Sequence, residues 1–252
     1  MDGNFIDKQH MHDEIALHQH RLVGKWGEYL PEFVYGAIDG SVTTFAVIAG
    51  SAGAQLEPSV VLILGFANLF ADGLSMSIGN YLSTKSEIEN YEKNRRIEQW
   101  EVEHLPEFEK EEIRQIYRAK GFEGELLEKI VEVITSDKER WVDVMMKEEL
   151  EMAPPSRSPL STAITTFLSF VFVGFVPLFV YVLYYLIPIE RSALFPISSI
   201  VTAAAFAGIG LLKGYVTQTP KLRSSLETLA LGGIAAIVAY YVGVVLEGII
   251  GG

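Results

Sequence analysis

Ser59-Val-Val-Leu-Ile-Leu-Gly-Phe-Ala-Asn-Leu-Phe-Ala-Asp72-Gly-Leu-Ser-Met76-Ser-Ile-Gly-Asn80-Tyr-Leu-Ser83 is mostly apolar, and only Asp72 in it is charged. A helix needs about 20 mostly apolar residues to cross a bilayer, so this stretch spans one. The next segment, Glu87–His104, is highly charged and holds no Pro or Gly. It therefore continues the same helix out of the membrane, and Pro106 marks its end.

Four further segments meet the same length criterion. They are Phe33–Ala54 with Asp39, the uncharged Leu160–Ile187, Ala193–Tyr215 with Lys213 near its end, and Leu226–Ile250 with Glu227 and Glu247 near its ends. Pro58, Pro159, Pro188 and Pro220 fall between spans, and Pro177 inside the third predicts a kink. The chain divides into 1–32, a polar N-terminal segment; 33–83, spans one and two; 84–159, a polar insertion; and 160–252, spans three to five.

Composition explains why this is not a soluble domain. Of 252 residues, 49% are hydrophobic, yet the formal net charge is −12. The two properties occupy different regions, and 84–157 alone carries 20 acidic against 13 basic side chains. There is no cysteine, which excludes disulfides and thiolate metal sites. The N-terminus lacks the apolar core of a cleaved signal. The acidic balance argues against a nucleic-acid partner and for cations. Lys8, Arg21 and Lys25, the basic residues of the insertion, and Lys221 and Arg223 place the N-terminus, the insertion and the fourth loop on the cytoplasmic side.

The insertion reads as helical beyond His104. Glu107–Lys120 carries Phe108, Ile113, Ile116 and Tyr117 near helical spacing, and Gly121 stops it. Glu123–Thr135 carries Leu126, Leu127, Ile130, Val133 and Ile134. Ser136 or Asp137 caps a last helix over Lys138–Met152, before Pro154 and Pro155. Residues 1–30 read as an amphipathic helix on the membrane surface.

Candidate chemistry begins with the intramembrane acids. A charge at mid-membrane costs about 2.5–3.5 kcal/mol on insertion scales, so Asp39 and Asp72 face protein or a polar path rather than lipid. Each is either a hydrogen-bonded structural residue or an ion site. Gly36 and Gly40 flank Asp39 at a spacing that permits close helix approach. Met76 lies one turn after Asp72; it is a packing residue or, with the carboxylate, a ligand pair suited to a first-row cation such as Fe(II). In the insertion, Glu98 with Glu101, Glu109 with Glu112, and Met145 with Glu149 put paired ligands on single helix faces. Glu101 and His104 form an E-x-x-H. The alternative is a solvated acidic face. His10, His12, His18 and His20 are surface polarity or a metal cluster. No phosphate-binding G-x-x-x-x-G-K loop and no nucleophile triad is found, which leaves no basis for ATP-driven transport or enzymatic hydrolysis.

These residues resemble the vacuolar iron transporter family. Val34-Tyr-Gly-Ala-Ile-Asp39-Gly40 is similar to its first-span signature and Ala71–Ser83 to its second. Trp141-Val-Asp-Val-Met145-Met146-Lys-Glu-Glu149-Leu is similar to the end of its metal-binding domain, and Val173-Gly-Phe-Val-Pro177-Leu to its third-span motif. The resemblance implies an all-α membrane protein, a homodimer with five transmembrane helices and a cytoplasmic metal-binding domain between spans two and three. It implies export of Fe2+, and often Mn2+, in exchange for protons, with metal as substrate and no prosthetic group. It implies Asp39 and Met76 in the transport path, and Glu98, Glu101, Glu109, Glu112, Met145, Met146 and Glu149 as metal ligands. Two positions depart. Better-known members carry Glu where Asn68 falls, and many carry Glu where Asn80 stands; Asp72, one turn after Asn68, is the candidate replacement. The short chain without extensions points to a prokaryotic cell membrane, or a vacuolar membrane in a eukaryote. A membrane-anchored ferritin-like di-iron ferroxidase, or a metal sensor without flux, is the competing reading.

Overall fold

A computed structural model describes residues 27–250. The N-terminal surface helix and the His10, His12, His18 and His20 cluster lie outside the described residues. Within them the chain forms two compact units, Leu82–Ser156 and the remainder, 27–81 with 157–250.

The larger unit holds the apolar helices. After a 3-10 turn over Gly27–Tyr29 come α1 (Leu30–Gly53) and α2 (Pro58–His104), and later α6 (Pro159–Leu183), α7 (Arg191–Val216) and α8 (Lys221–Ile250). All five are long and apolar enough to cross a membrane. α2 runs unbroken from its apolar half into its charged half, as the absence of Gly and Pro over Glu87–His104 dictates.

α1 packs against α6, α7 and α8. Among the contacts that set backbone against backbone and admit only glycine are two made by α1. A Cβ at Gly40 would sit 2.4 Å from the Phe170 carbonyl oxygen in α6, and one at Gly243 would sit 2.0 Å from the Gly50 carbonyl oxygen. Small residues let spans approach where lipid supplies no hydrophobic drive between helices. The Gly36/Gly40 spacing is thus used within the chain, and it lends no support to a dimer. Buried Phe45, Ile48, Leu69, Phe170, Leu178 and Phe206 fill the remaining core.

Hydroxyl side chains in the spans are satisfied mostly by their own helices. Ser41 donates to the Ala37 carbonyl at 2.8 Å and Thr202 to that of Ser198 at 2.7 Å. Pro177 does not end α6, which continues to Leu183; the Ser198 hydroxyl reaches across to the Pro177 carbonyl at 2.8 Å. Pro196 is likewise tolerated inside α7.

The smaller unit comprises the charged half of α2 with α3 (Pro106–Ala119), α4 (Gly124–Thr135) and α5 (Lys138–Glu148). Pro106 opens α3 because its missing N–H costs nothing in a first turn. Gly121, at φ +92°, supplies the left-handed turn after α3. Asp137, rather than Ser136, caps α5 by accepting the Arg140 N–H at 2.8 Å. α5 ends four residues before the expected Met152. Leu150 and Met152 fold back onto the carbonyls of Met145 and Met146, and Glu151 takes φ +52°. Val102, Ile113, Leu127, Val131, Ile134, Trp141, Val142, Met145 and Met146 form the core.

Candidate functional site

In the smaller unit, α2 contributes Glu98 and Glu101, α3 contributes Glu109 and Glu112, and Glu149 closes α5. The i, i+3 spacing puts each helical pair on one face. Helix packing buries the inner member of each pair: Glu98 is 3% exposed and Glu109 2% exposed. One oxygen of each, Oε2, has no hydrogen-bond partner.

Electrostatics ties the five together. Burial first, then the charges of Glu149, Glu101 and Glu112, pushes the Glu98 carboxyl up to about 7. Burial, then Glu112, Glu98, Glu101 and Glu149, pushes Glu109 up to about 8. Glu112 and Glu149 are raised too, by burial and then by neighbouring carboxylates.

The basic side chains nearby are committed elsewhere. Arg95 holds Glu139 and Asp143, Arg114 holds Glu111 and Glu128, Lys110 holds Glu107, and Lys120 holds Glu148. Among the described residues no ion pair joins Lys or Arg to any of the five. Buried carboxylates without cations must take up protons or bind a cation. Among the described residues no three His, Asp or Glu side chains are disposed to hold a metal ion as they stand. Met145 and Met146, at 0% and 1% exposure, are core residues of this unit. His104 is turned to its own helix: Nδ1 lies 2.8 Å from the Trp100 carbonyl, and the two rings stack.

In the larger unit, Asp39 on α1 and Asp72 on α2 are half-buried and close enough to interact electrostatically. Met76 packs against the apolar core. Asn80 donates from Nδ2 to the Thr166 hydroxyl at 2.7 Å, a bond from α2 to α6. The Asn68 Nδ2, one turn before Asp72, is buried without a partner.

The sequence reading started the first span at Phe33 and so missed Glu32. This residue is buried and pairs with Arg157, just before α6, while the Tyr29 hydroxyl accepts the Ser158 N–H at 3.1 Å. An acid at the head of one span and an arginine at the head of another was the available signal.

Five membrane-length helices bearing neighbouring intramembrane aspartates, with a helical unit that buries uncompensated carboxylates, define a multispan membrane protein that handles cations. The VIT family model matches residues 30–244, and the chain belongs to that family. It is 34% identical over 215 residues to vacuolar iron transporter 1 of Eucalyptus grandis, covering 85% of each chain. It is 32% identical over 244 residues to the vacuolar iron transporter of Plasmodium berghei (strain Anka), covering 94% of this chain and 89% of that one. These relatives are named as transporters, not enzymes.

Proposed function

We propose that the protein exports Fe2+, and Mn2+ as a second cargo, from the cytoplasm in exchange for protons, acting as a homodimer. The unit Leu82–Ser156 is the cytoplasmic collector. The observation that carries the reading is the pair of buried carboxylates, Glu98 and Glu109, each with an unpartnered Oε2, in a group of five with which no Lys or Arg pairs among the described residues. Such a group is stable either protonated or loaded with a cation, which is what an exchange site requires.

Glu98, Glu101, Glu109, Glu112 and Glu149 would rotate inward to ligate the ion, with the Met145 thioether the softer donor that favours Fe2+ over Mg2+. Asp39 and Asp72 form the intramembrane station, with Met76 beside it. There Asp72 supplies the carboxylate that Asn68 cannot, since an amide takes up no proton at physiological pH. The relatives' names support iron as cargo. The membrane is the one bounding the cytoplasm, the cell membrane in a prokaryote or the vacuolar membrane in a eukaryote.

The turned-away ring of His104 weighs against the di-iron oxidase alternative. The test is anaerobic Fe2+ flux into liposomes under an imposed pH gradient, with an interior pH dye. Gradient-dependent flux with matched proton movement is the expected result. Metal binding without flux, or oxygen consumption on adding Fe2+ in a separate aerobic assay, would overturn the assignment.

A further inference from the structure

The corner between α7 and α8 lies in the larger unit and plays no part in the transport reading. Lys213, Thr217, Thr219, Pro220, Arg223, Ser224 and Glu227 line a hollow of about 370 Å3 there. Three features make it more than a polar loop.

The first is charge. Lys213 and Arg223 line the hollow, and Glu227 answers both, at 4.0 Å from the lysine and 3.1 Å from the arginine, so one positive charge is left over. Lys221, over the Tyr215 ring, adds another beside it. The second is the start of α8, a helix of 30 residues. Its first-turn N–H groups have no carbonyl within the helix to bond, and Pro220 before them offers no N–H. The third is independent of both. Ser224 is 3% exposed, yet its hydroxyl has no hydrogen-bond partner. Thr217 and Thr219 hydroxyls, by contrast, are spent on each other and on the Lys213 carbonyl at 2.8 Å. A buried hydroxyl left without a partner costs about 1–3 kcal/mol, so an acceptor supplied from outside the chain is favoured there.

The Ser224 N–H is taken by the Pro220 carbonyl at 3.1 Å, but two cationic side chains, the N–H groups that open α8 before it and an unused hydroxyl donor match a phosphate group. The corner joins two membrane-length helices, which is the level at which phospholipid headgroups lie. We propose that the α7–α8 corner binds a phosphate group, held by Lys213, Arg223 and Ser224 at the α8 N-terminus. The headgroup of an anionic phospholipid is one source of that group and soluble phosphate the other. Glu227 opposes binding and sets its strength.

The full-length protein in detergent is titrated with short-chain phosphatidylglycerol, with short-chain phosphatidylcholine as the blank, and separately with inorganic phosphate. The readout is the unfolding midpoint by far-ultraviolet circular dichroism, which is dominated by the membrane-length helices. A saturable rise with phosphatidylglycerol, absent with the blank, is expected. If inorganic phosphate reproduces it the source is soluble; if not, it is lipid. Arg223→Gln should weaken the effect about tenfold. Ser224→Ala should weaken it similarly while leaving the ligand-free midpoint equal or higher, because it deletes an unsatisfied hydroxyl. Glu227→Gln should strengthen it. A general attraction of basic residues to anionic surfaces would ignore Ser224. Titrations of Ser224→Ala and Glu227→Gln indistinguishable from the parent, or no saturable rise with either probe, overturn the proposal.

Discussion

Metal binding by the five-carboxylate group should tighten steeply as pH rises from about 6 to about 8. Glu98 stands at about 7 and Glu109 at about 8 against an ordinary 4.5. Treated independently, about a tenth of Glu98 and a hundredth of Glu109 are ionised at about pH 6, against about nine-tenths and a half at about pH 8. The doubly ionised form that receives the ion is then several hundred-fold more abundant at the higher pH. Interaction among the carboxyls spreads their titrations and leaves about 100-fold. The sign is fixed by the direction of the shifts. Protons compete for the same oxygens, so affinity falls as pH falls, and each ion bound near pH 6 expels about two protons. The apo unit behaves in the opposite sense. Between about 4.5 and 8 its native state holds more protons than its unfolded state, so its stability declines as pH rises and is recovered on adding metal. Anaerobic calorimetry with Mn2+ on the full-length protein, in buffers of differing ionisation enthalpy, reads affinity and proton release together. Glu109→Gln should roughly halve the dependence on pH and the proton count. An affinity constant within about threefold across this range, with no proton release, would refute the reasoning, because buried carboxyls displaced this far cannot bind a cation without losing protons.

Asp39→Asn should abolish flux in liposomes while the protein elutes as the parent does on gel filtration; substantial residual flux removes Asp39 from the path. Asp72→Asn should stop proton-coupled flux, whereas Asn68→Ala should leave it, since only the first removes a titratable group; the reverse ranking assigns coupling elsewhere. Gly40→Ala should lower stability by about 1–3 kcal/mol, because its Cβ meets the Phe170 carbonyl and neither helix can yield cheaply; an unchanged thermal midpoint contradicts that packing. Asn80→Ala should cost about 0.6 kcal/mol through loss of its bond to Thr166, with flux kept, placing it among structural rather than transport residues.

The spans were legible because hydrocarbon thickness turns into run length, which a sequence displays directly. The continuous α2 followed from an absence of breakers, and the Glu pairs from helical periodicity. What remained hidden is tertiary. Periodicity puts Glu98 and Glu101 on one face but does not say that α3 brings Glu109 to the same place, or that Arg95 and Arg114 turn to other carboxylates. Gly36 and Gly40 announce a close approach without naming the partner, which is α6 of the same chain. Asn80 offered no hint of Thr166, since 86 residues separate donor and acceptor. The end of α5 at Glu148 depends on backbone bonds that Glu151 permits by taking a positive φ, a conformation few residues advertise.

Among the described residues no lysine or arginine pairs with the five carboxylates, which has a consequence for ionic strength. At about pH 6 the empty group holds protons on its two most buried members, and on the proposed reading a divalent ion would take their place. The exchange leaves the local charge almost unchanged. Added salt screens interactions of net charge over about 8–10 Å and has little to act on here. Salt should therefore hardly alter how tightly the collector holds its ion, while a modest change in acidity alters it greatly. On the proposed reading, such a site would follow the acidity of its compartment and be nearly blind to its salinity.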